Sequence, residues 1–272
     1  MNTILVATDF SDNGSKAVKY AAHMALRLNS QLVILNVYHI PLGSEAGQAV
    51  PADVFREIED ASNQDLCVCE NEIKRDVSND LKIVKLVACG FAADEILVAA
   101  ADYKADVIVV GAHGQSGLEK IFGSVTTSVL RKSTIPVLAV PANADFEVIK
   151  KIVIASHGME GISRKAKELL DKLIVAFHPE FFIADVLSKT VEYAENQKQF
   201  GPFVFTQPEI ITEENEDVAL GINNVIDRTG ADLLVMFPEK HSFMYRLMNV
   251  ENTKKMATIT HIPLLAILKE NN

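Results

Sequence analysis

The sequence predicts an α/β fold made of two doubly wound parallel sheets of five strands each, and three observations carry that expectation. Short apolar runs alternate with segments of helical periodicity, and such βα alternation implies a parallel sheet covered by helices on both faces. One βα unit is restated in the second half. The 272 residues, 49% of them hydrophobic, are enough for two cores of about 100 to 150 residues.

Thr3 to Ala7 reads as a continuous apolar strand, after which Ala17, Ala21, Ala22, Ala25 and Leu28 recur at helical spacing. Gln31 to Val37 is the second strand. Beyond Pro41, Gly43 and Gly47, a long amphipathic helix starts near Pro51 and carries Val54, Ile58, Ala61, Cys69, Ile73 and Val77 on one stripe. Strand Lys82 to Ala88, helix Ala93 to Ala101, strand Asp106 to Val110, a glycine-punctuated loop, a helix through Arg131 and strand Val137 to Val140 complete the first unit.

The second half begins with Lys151-Ile-Val-Ile-Ala-Ser-His where the first has Ile4-Leu-Val-Ala-Thr-Asp, and its closing strands match better still. Ala105-Asp106-Val-Ile-Val-Val corresponds to Ala231-Asp232-Leu-Leu-Val-Met, and Thr134-Ile-Pro136-Val-Leu-Ala-Val to His261-Ile-Pro263-Leu-Leu-Ala-Ile. An internal duplication explains these matches. It gives two domains, 1–143 and 148–272, joined near Ala142-Asn-Ala-Asp-Phe-Glu, a connection too short to be a flexible tether.

The glycine loop is the most informative segment for function. Gly111, Gly114, Gly117 and Gly123 let backbone approach a ligand closely, and Ser124 to Thr127 stand where a helix begins and its unpaired N–H groups point outward, a setting suited to phosphate. The second copy has Phe237-Pro-Glu-Lys-His-Ser-Phe-Met-Tyr-Arg-Leu-Met-Asn there, without glycine, and His157 stands where the first copy has Asp9. That copy reads as non-binding.

In a doubly wound sheet ordered 3-2-1-4-5, Asp9 at the end of strand one and Gly111 at the end of strand four flank the crevice where ligands sit. Asp9 would accept hydrogen bonds from a base or ribose, while the loop and the Ser124 to Thr126 amides and hydroxyls face phosphate. Asp9 also fits a helix or turn cap, because Asp-Phe-Ser-Asp-Asn-Gly precedes a helix. His113 is either a phosphate contact or an exposed loop histidine, and Ser124 is a cap, a phosphate ligand or both. Lys120, Arg131 and Lys132 are candidates for positive charge, against the alternative of a solvated face.

Several classes are excluded directly. Ala7-Thr-Asp-Phe-Ser-Asp-Asn-Gly lacks the Gly-x-Gly-x-x-Gly dinucleotide fingerprint, and the chain holds neither Gly-Lys-Ser/Thr nor Gly-x-Ser-x-Gly. A net charge of -10 argues against nucleic acid or an anionic membrane surface as partner. With no basic region before a long apolar segment and no run of about 18 apolar residues, the protein is expected to be cytoplasmic. Cys67, Cys69 and Cys89 do not converge on a metal; they are expected to be reduced and mostly packed.

Gly111-Ala-His-Gly114 followed by Gly123-Ser124, with Asp9 ending strand one, resembles the universal stress protein family in its tandem form, over nearly the whole chain. The resemblance implies the adenine nucleotide alpha hydrolase-like type of fold and an ATP or AMP ligand, with or without magnesium. It places Asp9 and Val37 against adenine or ribose, and Val110, Gly111, Gly114, Gly123, Ser124, Val125 and Thr126 around the phosphates. Thr8 and His113 are expected among the binding residues beside them. One departure stands out: eight residues separate Gly114 from Gly123, where the family has about nine. Twenty-five positions separate Gly111 from Pro136 but twenty-six separate Phe237 from Pro263, so the first copy has lost one residue. The loop is tighter, or the next helix starts one residue earlier.

The resemblance implies a stress-response regulator, with a nucleotide-free dimeric scaffold and a slow ATP hydrolase as alternatives; no catalytic constellation is visible. It also implies that Val137 to Val140 and Leu264 to Ile267 pair within the chain, leaving room for a further homodimer.

Overall fold

In a computed structural model of the protein, residues 3–39, 52–112, 123–155, 162–187, 208–238 and 261–269 are described. The first half runs β1 (Thr3–Thr8), α1 (Asp12–Arg27), β2 (Gln31–Tyr38), α2 (Ala52–Asp76), β3 (Ile83–Cys89), α3 (Ala92–Asp102), β4 (Val107–Ala112), α4 (Ser124–Lys132) and β5 (Val137–Pro141). The second runs β6 (Lys151–Ala155), α5 (Arg164–Phe177), β7 (Glu180–Leu187), β8 (Glu209–Glu214), α6 (Val218–Thr229), β9 (Leu233–Met236) and β10 (Leu264–Ala266).

The strands form one sheet of ten, ordered β3-β2-β1-β4-β5-β10-β9-β6-β7-β8. Each half keeps the order 3-2-1-4-5. The two five-stranded halves join through their last strands, as expected of Val137 to Val140 and Leu264 to Ile267: β5 and β10 pair antiparallel with Leu138 opposite Leu265, whereas the other described pairs are parallel. Two apolar edge strands that would each expose a row of N–H and C=O groups satisfy one another instead.

Strand alternation divides the core between the two faces. Ile4, Val6, Val107 and Val109 pack on one side with Ala17, Ala21 and Ala25 of α1, while Leu5, Ile108 and Val110 pack on the other with Ile96 and Ala100 of α3. The alanines on α1 let that helix lie close to the sheet. Long α2 departs from its predicted stripe: Ser62, Leu66 and Ile73 are its buried residues, and Val54 and Ala61 are exposed. Periodicity there reports no burial.

The duplication is visible in atomic detail. The Asp106 carboxylate accepts from Thr3 N–H at 3.1 Å at the foot of β1 and β4, and Asp232 accepts from Lys150 and Lys151 N–H at 2.7 and 2.9 Å at the foot of β6 and β9. Ser11 caps α1 through Gly14 N–H, as Ser163 caps α5 through Ala166 N–H.

The connection between the halves is tied down. The Phe146 ring stacks on His23 at 5.2 Å, meets Tyr20 edge-on at 5.0 Å and lies 6.4 Å from Phe177 of α5, while Asp145 pairs with Lys16. Burial, reinforced by the Asp232 charge, pushes the Tyr20 hydroxyl well above its ordinary range.

Two cysteines correct the expectation of packed thiols: Cys67 and Cys89 are exposed, Cys67 on α2, where its Sγ accepts from Lys85 Nζ at 3.1 Å, and Cys89 at the end of edge strand β3. Cys69 is half-buried, and desolvation, helped by Glu72 and opposed by Lys19, pushes its thiol up to about 11. Since only thiolate reacts, roughly one Cys69 in a thousand is reactive at pH 8, and that fraction grows about ten-fold per pH unit until its pKa. Titration with a chromogenic disulfide at pH 8 should give two fast thiols and one slow one; three equal rates would contradict this packing.

Candidate functional site

Topology positions one cleft in the first half. At the carboxyl ends of the strands, β1 leads to β2 on one side and lies beside β4 on the other, and this reversal point leaves a crevice. The space is about 240 Å³ and is lined by Thr8, Asp9, Asn13, Val37, Gly111 and Ser124, among others.

Asp9 begins the loop into α1. Its Oδ1 accepts from Ser11 N–H at 3.1 Å and Ser11 Oγ–H at 2.5 Å, and Ser11 Oγ in turn accepts from Gly14 N–H at 3.1 Å. Ser11 is therefore the helix cap, and Asp9 holds the cap while standing exposed at the cleft. Both readings of Asp9 meet in one residue. Thr8 Oγ1 accepts from Phe10 N–H at 3.0 Å, steadying a backbone in which Phe10 takes φ 60°. Asn36 Nδ2 donates to Thr8 O at 2.9 Å and locks the ends of β1 and β2 together.

Across the cleft, β4 delivers Val110 and Gly111, and α4 starts at Ser124 directly after Gly123. Thr126 Oγ1 donates to Gly111 O at 2.8 Å, fixing the helix to the strand end. Thr127 N–H makes the first helical bond, to Gly123 O at 3.0 Å, so the N–H groups of Ser124, Val125 and Thr126 have no partner within the helix. Ser124 and Val125 are exposed and Thr126 is buried. These amides carry the positive end of the helix dipole toward the cleft. None of the described residues lining the cleft is a lysine or arginine.

The cleft has a second, apolar end. Leu35 and Val37 of β2 and Ala92 and Ile96 of α3 line it there, a chemistry unlike that of the amide end.

Of the residues expected from the sequence, Thr8, Asp9, Val37, Val110, Gly111, Gly123, Ser124, Val125 and Thr126 come together around this space. His113, Gly114 and Lys120, the shortened stretch 115–122, and His157 of the second copy lie outside the described residues. Arg131 and Lys132 do not join the site: they close the last turn of α4, away from Ser124, and Lys132 pairs with Asp94 at 2.8 Å. Sequence reading missed Asn13, Gly14, Leu35, Ala92 and Ile96, which also line the cleft. The only available signal was that Asn13 and Gly14 follow Asp9 at the helix start. Among the described residues no group of His, Cys, Asp and Glu is placed to hold a metal, and no helix is long and apolar enough to cross a membrane.

The second half is built differently at the same place. Val186 stands on β7 where Val37 stands on β2, and Gly221 lets α6 approach so closely that a Cβ there would lie 2.5 Å from Val186 Cγ1. Val186 is buried, whereas Val37 is half-buried and lines open space. Phe237, at the position of Gly111, is buried in the cluster that holds Ile154, Ile162 and Ala166.

The universal stress protein family model matches residues 1–141. The chain is similar to universal stress protein YxiE of Bacillus subtilis (strain 168), 35% identical over 145 residues that span 51% of this chain and 98% of that protein. It is 26% identical to universal stress protein MJ0577 of Methanocaldococcus jannaschii over 156 residues, half of this chain and 93% of that one. Its fold follows that of a universal stress protein from Archaeoglobus fulgidus over 99% of both chains, with a TM-score of 0.74 at 17% identity. The sequence matches and the duplicated sheet lead to one conclusion: the chain belongs to the universal stress protein family.

Proposed function

We propose that the protein is a cytoplasmic stress-response regulator that binds ATP or AMP at a single site in a first domain, residues 1–143, while residues 148–272 form a degenerate second domain. The observation that carries this reading is the two-ended cleft: an apolar slot at Val37 and Ile96 opens onto the unpaired amides at the start of α4. Adenine fills the slot, Asp9 and Thr8 face the ribose, and Val110, Gly111, Gly114, Gly123, Ser124, Val125 and Thr126 surround the phosphates, with His113 beside them. Because no described cation lines the space, backbone amides carry the anion, and magnesium arrives with the nucleotide. The filled slot behind Val186 supports a single site.

Isothermal titration with ATP and AMP tests the proposal. Asp9→Ala should weaken binding about ten-fold, the value of one hydrogen bond to a charged group, while leaving the circular dichroism spectrum unchanged. Absence of heat at millimolar nucleotide would instead favour a nucleotide-free scaffold, with homodimerisation as its mode of action. Steady phosphate release lost in Asp9→Ala would favour a slow hydrolase.

A further inference from the structure

Away from the cleft, α2 and edge strand β3 bring a thiol, a carboxylate and two amines together. Lys85 Nζ of β3 donates to Cys67 Sγ at 3.1 Å and lies 2.7 Å from Glu70 Oε2, while Lys74 Nζ lies 2.6 Å from the other Glu70 oxygen. Cys67 and Glu70 stand three positions apart on α2, so both reach the same strand residue. Lys74 already balances the Glu70 charge; Lys85 adds an amine nitrogen held against a sulfur that solvent reaches. The other cysteines are placed differently. Cys69 packs half-buried against the core, and Cys89 lies beside Tyr38. The arrangement belongs to the first half alone. Lys85 stands opposite Ile34 of β2, and at the same register of the second half exposed Ile210 stands opposite Ile183 of β7.

We propose that Cys67 and Lys85 form an oxidant-driven modification site, in which hydrogen peroxide converts the pair into a covalent sulfur–nitrogen link between α2 and β3. The inference is independent of the nucleotide reading. In the first step the Cys67 thiolate attacks one peroxide oxygen and the O–O bond breaks. Sulfur is oxidised by two electrons to sulfenic acid, and the leaving hydroxide takes a proton to become water. Lys85, after losing one proton to solvent, then attacks that sulfur with its nitrogen lone pair. The S–N bond forms, the S–O bond breaks, and the hydroxyl leaves as water with a second proton from the nitrogen. One thiol, one amine and one peroxide thus give one sulfenamide and two waters. Sulfenic acids condense with thiols or nitrogen nucleophiles in reach, and here the nitrogen is already in contact. Glu70 foremost, and Cys67 after it, hold the Lys85 ammonium above its ordinary range, so alkaline buffer supplies more of the attacking amine.

The test treats the full chain with hydrogen peroxide at pH 9, followed by tryptic digestion without reductant and mass spectrometry. Cleavage at Lys74, Arg75 and Lys82 separates the two residues, so a link joins two peptides. The expected product is that joined pair, lighter than the sum of its parts by two hydrogens, uncut after Lys85 and released by dithiothreitol. Lys85→Arg, which keeps a cation beside Glu70, and Cys67→Ser should both give no joined pair. A second readout is thermal: the link closes the chain between residues 67 and 85, so oxidised wild-type protein should melt above its reduced form, and oxidised Lys85→Arg should not. Cys67 left as a thiol, or oxidised while the Lys85 peptide stays free, would overturn the inference. So would a joined pair that retains an oxygen atom or that persists in Cys67→Ser.

Discussion

Gly111→Val should reduce ATP and AMP affinity at least a hundred-fold and also lower the melting temperature. The β4 backbone passes α1 so closely that even a Cβ would stand 2.8 Å from Asn13 Nδ2 and 3.1 Å from a backbone oxygen that cannot swing away. Valine adds two methyl groups to that space. Overpacking of this kind costs about 1 to 3 kcal/mol, or several degrees in a chain of this size. The binding loss is larger because the displaced strand end also carries the Gly111 carbonyl that holds Thr126, and through it the start of α4. Isothermal titration and thermal unfolding of the same preparation separate the two effects. Wild-type affinity in a folded Gly111→Val protein would remove this cleft from consideration.

Leu265→Ala should destabilise the protein by about 2 to 5 kcal/mol, the usual cost of a large cavity in a packed core. Leu265 is 1% exposed and sits directly opposite Leu138, 2% exposed, at the antiparallel junction of β5 and β10. Both belong to one cluster that extends from Ile4 in the first half to Leu169 in the second, so the cavity opens where the two halves share their core. Chemical denaturation should show a lower midpoint, with nucleotide affinity nearly unchanged because the cleft lies at β1 and β4. An unchanged midpoint would mean that the junction contributes little to stability.

The architecture was legible wherever a local pattern determined burial. Continuous apolar runs at Ile4 to Val6 and Val107 to Val110 become the central strands, and the repeated Ile-Pro followed by apolar residues becomes the β5 and β10 junction. Patterns that depend on what covers a segment were not legible. The apolar positions at the start of α2 suggest a buried stripe, yet Val54 and Ala61 are exposed. The candidate site divides in the same way. Glycines and a carboxylate that end strands announce themselves, so Asp9, Gly111 and Ser124 were expected at the cleft that they line. Asn13 was not, because it reaches the cleft through a contact with Gly111, on a strand far along the chain. Nor was Gly221, whose role is to bring α6 onto Val186 and fill the second slot. A glycine missing from one copy suggested loss of a site, but the closing of its apolar end needed coordinates.

The central claim is that one half binds nucleotide and the other has filled its slot. Its most direct measurement is the stoichiometry of ATP binding to the full chain by isothermal titration, using protein whose active fraction is known. One nucleotide per chain is expected, with that single site eliminated by Gly111→Val. Two nucleotides per chain, none at millimolar ATP, or one that persists in Gly111→Val would contradict it.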